Sequence, residues 1–172
     1  MECEGLVRSS GLDWCILRYA FAPPLNLGGF NPILFHIELD SRMEFVHPQD
    51  VGLAAAKAVT SPEAWGKTLL IGGGPGCQIT HRDFIRGTMH AAGIGDLPDS
   101  AFASPPSSPM DWVDSTEAQR ILQYQRHSFE DFVREVPSAF GPAGHLVRAF
   151  APLIRRRMLS QSPFFQAAKK NQ

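Results

Sequence analysis

A chain of 172 residues, 44% apolar and 19% charged, has the length and composition of one globular domain with a sizeable core. Its net charge of −1 conceals a split: residues 1–140 hold all 17 acids and 10 of the 16 bases, whereas residues 141–172 hold six bases and no acid. The three cysteines, Cys3, Cys15 and Cys77, lack C-x-x-C spacing, which excludes a disulfide framework and a zinc site and fits a reducing, cytoplasmic setting.

The acidic start "MECEGLVRSS" has no apolar centre and is not a signal peptide. It reads instead as a short helix with a modest apolar face from Leu6 and Val7. "DWCILRY" (13–19) is a short run of large apolar residues and reads as a buried strand. "APPLNLGG" breaks the structure through its prolines and glycines. "FNPILFHIELD" is either a short helix or an extended piece. "MEFVH" (43–47) reads as a strand and "VGLAAAKAVTS" as a helix capped by Asp50, with Val51, Ala54, Ala55, Ala58 and Val59 inward. "KTLLIGGG" (67–74) is a second buried strand whose glycines end it as a flexible turn. "THRDFIRGTMHAAG" is a helix capped by Thr80, with Phe84, Ile85 and Met89 inward and Gly93 at its end. "LPDSAFASPPSSPM" is irregular. "DSTEAQRILQY" is a helix capped by Asp114 or Ser115, and "SFEDFVREV" is another, opened by Ser128 with Asp131 three residues on.

Strands separated by helices favour parallel pairing, so the expected fold class is α/β with a mostly helical C-terminus. Two core strands make a thin sheet, which is marginal alone and marks the chain as one portion of a larger sheet.

Five segments, in order over residues 4 to about 136, resemble the C-terminal half of an extended or atypical short-chain dehydrogenase/reductase of the NAD-dependent epimerase/dehydratase family. They are "VRSSGLDWCILRYAF", "MEFVHPQDVGLAAAKAV", "GKTLLIGGG", "QITHRDFI" and "DWVDSTEAQRILQYQRHSFEDFVREV". Residues 141–172, outside the resemblance, read from their charge and partial apolar stripe as a basic amphipathic extension; the resemblance implies, over residues 1–140, the C-terminal portion of a Rossmann-like parallel sheet plus a small substrate lobe. It implies an NAD or NADP cofactor, with Tyr19, Ala20, Phe21 and Ala22 running past the nicotinamide. Arg42, His47 and Asp50 would shape the junction with the substrate lobe; alternatively Asp50 is a simple helix cap and His47 a structural histidine. Some sugar-nucleotide epimerases place a phosphate-binding arginine where this chain has Met43, with Arg42 one residue away.

Two family motifs are absent. G-x-G-x-x-G would need glycine at Cys77 in "IGGGPGC", and Tyr-x-x-x-Lys fails because Pro23 and Ser128 stand four residues after Tyr19 and Tyr124. The expectation is therefore the substrate-lobe portion of an NAD(P)-dependent epimerase, dehydratase or reductase, truncated or split and not catalytic alone, with no catalytic and no metal residues. The alternative is a non-catalytic binding or interaction module derived from that family. Its partners would be a small-molecule substrate and either an N-terminal half or a second copy seated on the exposed sheet edge. Nothing points to nucleic acid. The tail, broken by Pro152, either packs on the body or a second subunit, or lies on an anionic membrane through Phe150, Leu153, Ile154, Met158, Phe164 and Phe165.

Overall fold

The computed structural model describes residues 2–24, 31–104 and 110–170. Parts of the expected breaks at 22–29 and 97–110 lie outside those residues. The strands are β1 (Cys15–Tyr19), β2 (Arg42–Glu44), β3 (Lys67–Ile71) and β4 (Gln78–Thr80). The helices are α1 (Glu2–Arg8), α2 (Pro48–Val59), α3 (His81–Ala91), α4 (Thr116–Leu122), α5 (Phe129–Ala139), α6 (Gly144–Ala149), α7 (Ala151–Ser160) and α8 (Pro163–Lys170). The class is α/β, as the strand–helix alternation requires. β1 and β3 pair in parallel, from Cys15 opposite Lys67 to Tyr19 opposite Ile71, while β2 and β4 form a second two-stranded sheet.

The chain folds into two compact units. The first comprises Met1–Pro23, Glu44–Gln78 and Trp112–Phe129, and the second Pro24–Met43, Ile79–Asp111 and Glu130–Gln172.

In the first unit, Leu69, Ile71, Val46, Ala54, Ala58, Ala118, Leu122 and Tyr124 form the core, with Cys15, Leu17 and Ala20 of the β1 segment against it. The buried side of α2 is thus narrower than expected: Ala54 and Ala58 point inward, but Ala55 and Val59 are exposed. Small residues there let the helix approach the sheet, with partly buried Val51 and Leu53 beside them. β1 is only half-buried, not the buried strand its composition implied, because it pairs with a named strand along one edge alone. Its other face meets α1 through polar groups. Glu4 accepts from Arg18 Nη2 at 2.7 Å, and Arg8 donates to Thr68 Oγ1 at 3.1 Å. The apolar residues of α1 have not docked: Leu6 is 70% exposed, and Leu12 just after it 74%.

The second unit is built on Phe35, Met43, Phe84, Ile85, Met89, Phe102, Phe132 and Val136. The undecided segment near residue 33 is a short 3-10 helix, Pro32–His36, with Asn31 accepting from Ile33 N–H. α3 carries the expected Thr80 cap, which the structure extends to a capping box with Thr80 and Asp83 bonding reciprocally, and stops before Gly93 at φ 75°. Pro152 sits in the first turn of α7, where its missing N–H costs nothing. Met158 and Ala151 seat α7, and Ser162 Oγ donates to Ala101 O at 2.6 Å. No helix among the described residues is long and apolar enough to cross a membrane.

Candidate functional site

The first unit gathers its polar groups at the C-terminal ends of β1 and β3, where open α/β sheets bind their ligands. Four segments meet there: 19–22 after β1, the β2–α2 turn, glycines 72–74 after β3, and residues 124–127 after α4.

The β2–α2 turn differs from its expected form. α2 starts at Pro48 rather than Val51, and its N-cap is His47, whose Nδ1 accepts from Gln49 N–H at 3.2 Å. Asp50 is therefore not a cap. It lies inside the first turn, fully buried, and its carboxylate serves a distant segment. Oδ2 accepts from Arg126 N–H at 2.9 Å and His127 N–H at 3.0 Å, and Oδ1 lies 2.7 Å from His127 Nδ1. A buried carboxylate must be met by donors, and three meet this one. With Nδ1 committed to Asp50, the His127 ring is held in one orientation, stacked on buried His47 at 4.4 Å and 24°. His47 also meets the edge of Phe45.

Glu44 is a second buried carboxylate, one that pattern reading did not single out. It accepts from Gly74 N–H at 3.0 Å, Val113 N–H at 3.0 Å and Gln78 Nε2 at 3.2 Å. The glycines beside it are buried and closely packed, not a flexible turn. A Cβ on Gly72 would come within 2.7 Å of Glu44 Cδ and Val113 Cγ2, and one on Gly73 within 2.5 Å of Cys77. Gly72 O in turn accepts from Tyr124 O–H at 2.6 Å and Gln125 Nε2 at 2.9 Å. Burial pushes the Tyr124 phenol above its ordinary range.

The β1 segment leads into this cluster. Ala20 N–H donates to Ile71 O and Phe21 N–H to Glu44 O, and Phe21 bridges Phe45 in parallel. Of the four expected cofactor contacts, Ala20 and Phe21 thus spend their N–H groups on the fold. The Tyr19 side chain and Ala22 remain open to a ligand. Tyr19 is half-exposed, and partial burial, reinforced by Cys15, holds its phenol above the usual range. The structure brings Tyr19–Ala22, His47 and Asp50 into one unit. Arg42 belongs to the other, where it donates to Asp111 Oδ2 at 2.8 Å, beside fully buried Met43.

A dinucleotide's pyrophosphate needs free backbone N–H groups beside glycines. Gly74 N–H is taken by Glu44, so among the described residues the 72–74 turn does not fit that group. In the second unit an open cleft of about 420 Å³ is lined by Asp40, Arg82, Asp99, Phe102, Ser104 and Phe164. Its guanidinium, on Arg82, is already held by Asp40 at 3.1 Å and Asp99 at 2.8 Å.

No family model and no curated protein matches the chain. Solved structures do. UDP-glucose 4-epimerase from Thermotoga maritima, with UDP-glucose, aligns at TM-score 0.63 and 20% identity, over 81% of this chain and 50% of the other. UDP-glucuronic acid 4-epimerase from Bacillus cereus, with UDP-glucuronic acid and NAD, aligns at TM-score 0.58 and 17% identity, over 84% and 49%. UDP-glucose 4-epimerase from Bifidobacterium longum, with NAD+ and UDP, aligns at TM-score 0.57 and 16% identity, over 83% and 53%. The fold is that of the C-terminal half of such an epimerase. The chain spans about half the length of the structures it matches, and at these identities the likeness concerns fold.

Sequence reading misses Glu44 and His127, and meets Tyr124 only as a tyrosine without its lysine. Glu44 carried a signal: it is an acid set between Met43 and Phe45-Val46, inside an otherwise apolar strand, a place where a carboxylate must find partners. His127 carried none, because its partner lies 77 residues away.

Proposed function

We propose that this chain is the substrate-lobe portion of an NAD(P)-dependent epimerase, dehydratase or reductase-like protein and is not catalytic as an isolated chain. The observation that carries the reading is the open parallel pair. β1 has β3 as its one named-strand neighbour among the described residues, and Leu6, Leu12 and Leu70 stand exposed around it. A two-stranded sheet is marginal in water, and an edge with exposed apolar neighbours invites a further strand. Strands of a nucleotide-binding half would complete the sheet and supply the pyrophosphate turn. In the complete protein Tyr19, Ala20, Phe21 and Ala22 would border the nicotinamide ring, which supplies hydride chemistry when bound, and His47, Asp50 and Arg42 would shape the approach to the substrate lobe. The substrate is a small molecule. Met43 is buried and Arg42 is paired with Asp111, so neither offers a free cation to a diphosphate.

The test is a titration of the isolated chain with NADH and NADPH, followed by tryptophan fluorescence, alone and with a separately expressed nucleotide-binding half of an epimerase. Binding and turnover only in the mixture are expected. Tight binding by the isolated chain would overturn the reading. Without a partner the chain should self-associate in size-exclusion chromatography with light scattering, and a strict monomer at high concentration counts against the open edge.

A further inference from the structure

The basic segment leaves one helix face that neither unit's core uses. Phe150 N–H donates to Leu146 O at 2.9 Å and Ile154 N–H to Phe150 O at 3.0 Å, so i to i−4 bonding runs through the junction of α6 and α7. Leu146, Phe150 and Leu153, spaced i, i+4 and i+7, therefore share one stripe roughly 10 Å long. They are 62%, 53% and 61% exposed. They are not a frayed core face, because Ala151 and Met158, on a neighbouring side of α7, already seat it on the second unit.

Charge borders the stripe. Arg157 continues it one turn on and Arg156 flanks it, both exposed, whereas Arg148 points the other way, against Gly93. None of these guanidinium groups is paired with a carboxylate among the described residues, and residues 141–172 contain no acid at all. Apolar side chains in line with unpaired arginines match an interface that is apolar below and anionic above. The leucines and phenylalanine enter the acyl boundary while the arginine stems lie along it and their heads stay at the phosphates.

We infer that the Leu146–Phe150–Leu153 face of α6–α7, with Arg156 and Arg157, is a peripheral docking surface for anionic lipid bilayers. Of the residues expected at a membrane, Phe150 and Leu153 serve it, whereas Met158 is buried and does not. The inference is independent of the dinucleotide reading, because its readout involves no cofactor.

The test is flotation of the full chain with phosphatidylcholine vesicles and with vesicles carrying about one-third phosphatidylserine. The chain is expected to float with the anionic vesicles only and to be released by raising salt from about 0.1 M to 0.5 M. The triple variant Leu146→Ser, Phe150→Ser, Leu153→Ser keeps the charge, and Arg156→Glu with Arg157→Glu keeps the stripe. Each should weaken binding by about tenfold or more with an unchanged circular dichroism spectrum. A Phe150→Trp variant should shift its emission to the blue on anionic vesicles, a readout that needs no loss of binding. The inference is overturned if the chain fails to float with anionic vesicles, or if the triple variant floats as well as the parent. It is equally overturned if the triple variant converts a concentration-dependent dimer to monomer while vesicles bind neither form.

Discussion

Two regions of the first unit handle their side chains in opposite ways. Around α2 and the 72–78 turn, Asp50 and Glu44 are buried carboxylates whose donors all come from this chain. Around α1 and β1, apolar side chains stand in water and the polar contacts are exposed ion pairs. The first region closes on donors of its own chain, and the second leaves apolar side chains exposed. The exposed region is where the proposed nucleotide-binding half would add strands.

The largest expected effect breaks the closed region. Asp50→Ala leaves two backbone N–H groups and the His127 ring without an acceptor, and should cost about 3 kcal/mol or more in chemical denaturation. Asp50→Asn keeps one carbonyl acceptor and should cost less. If Asp50→Ala is mild, the buried carboxylate is not what closes this region.

The second effect extends the comparison to the other unit, which buries an imidazole rather than a carboxylate. Among the described residues neither ring nitrogen of His81 makes a hydrogen bond, and Phe102 packs edge-on at 5.7 Å. Burial lowers its pKa to about 4, the nearby backbone of Ile37 and Glu38 opposing this only in part. The unfolded chain therefore binds the proton first on acidification. Stability is fully present above about pH 6.5 and falls as pH drops towards 4, by roughly 3 kcal/mol from this group. His81→Gln should flatten that slope in denaturation curves taken between pH 7 and 4. An unchanged slope would assign the acid sensitivity elsewhere.

Next in size is the close packing of the glycines. Gly73→Ala drives a methyl group into Phe45 O and Cys77, and should cost about 1–3 kcal/mol. Gly76→Ala meets Ser128 at 3.4 Å from Cβ and 3.9 Å from Cα, ordinary contact distances, and should change stability by no more than about 0.5 kcal/mol. Equal effects would mean that the turn is loose. The smallest effect belongs to the exposed region: Glu4→Gln removes the partner of Arg8 and Arg18, and the melting temperature should stay where it is, as for most surface pairs.

The sequence made the α/β order, the parallel pairing, the β3 core and the Thr80 cap legible, because these rest on local patterns. What escaped it depends on long-range contact. Asp50 looks like a cap because caps are read from neighbours, yet its donors are residues 126 and 127. His47 takes the cap because Pro48 opens the helix three residues earlier than the apolar spacing indicates. The glycines after β3 look flexible until Glu44 and Cys77 are placed against them. β1 looks buried from its composition, and only its pairing shows one edge without a strand.

The Asp50 anchor also has a temporal side. Its donors stand 76 and 77 positions further along the chain. During synthesis, the opening turn of α2 must wait for most of the polypeptide to emerge before its charge is neutralised by hydrogen bonds. Such distant closure slows folding, and a nascent chain stalled before residue 126 would carry a bare acid that favours solvent over the nascent core.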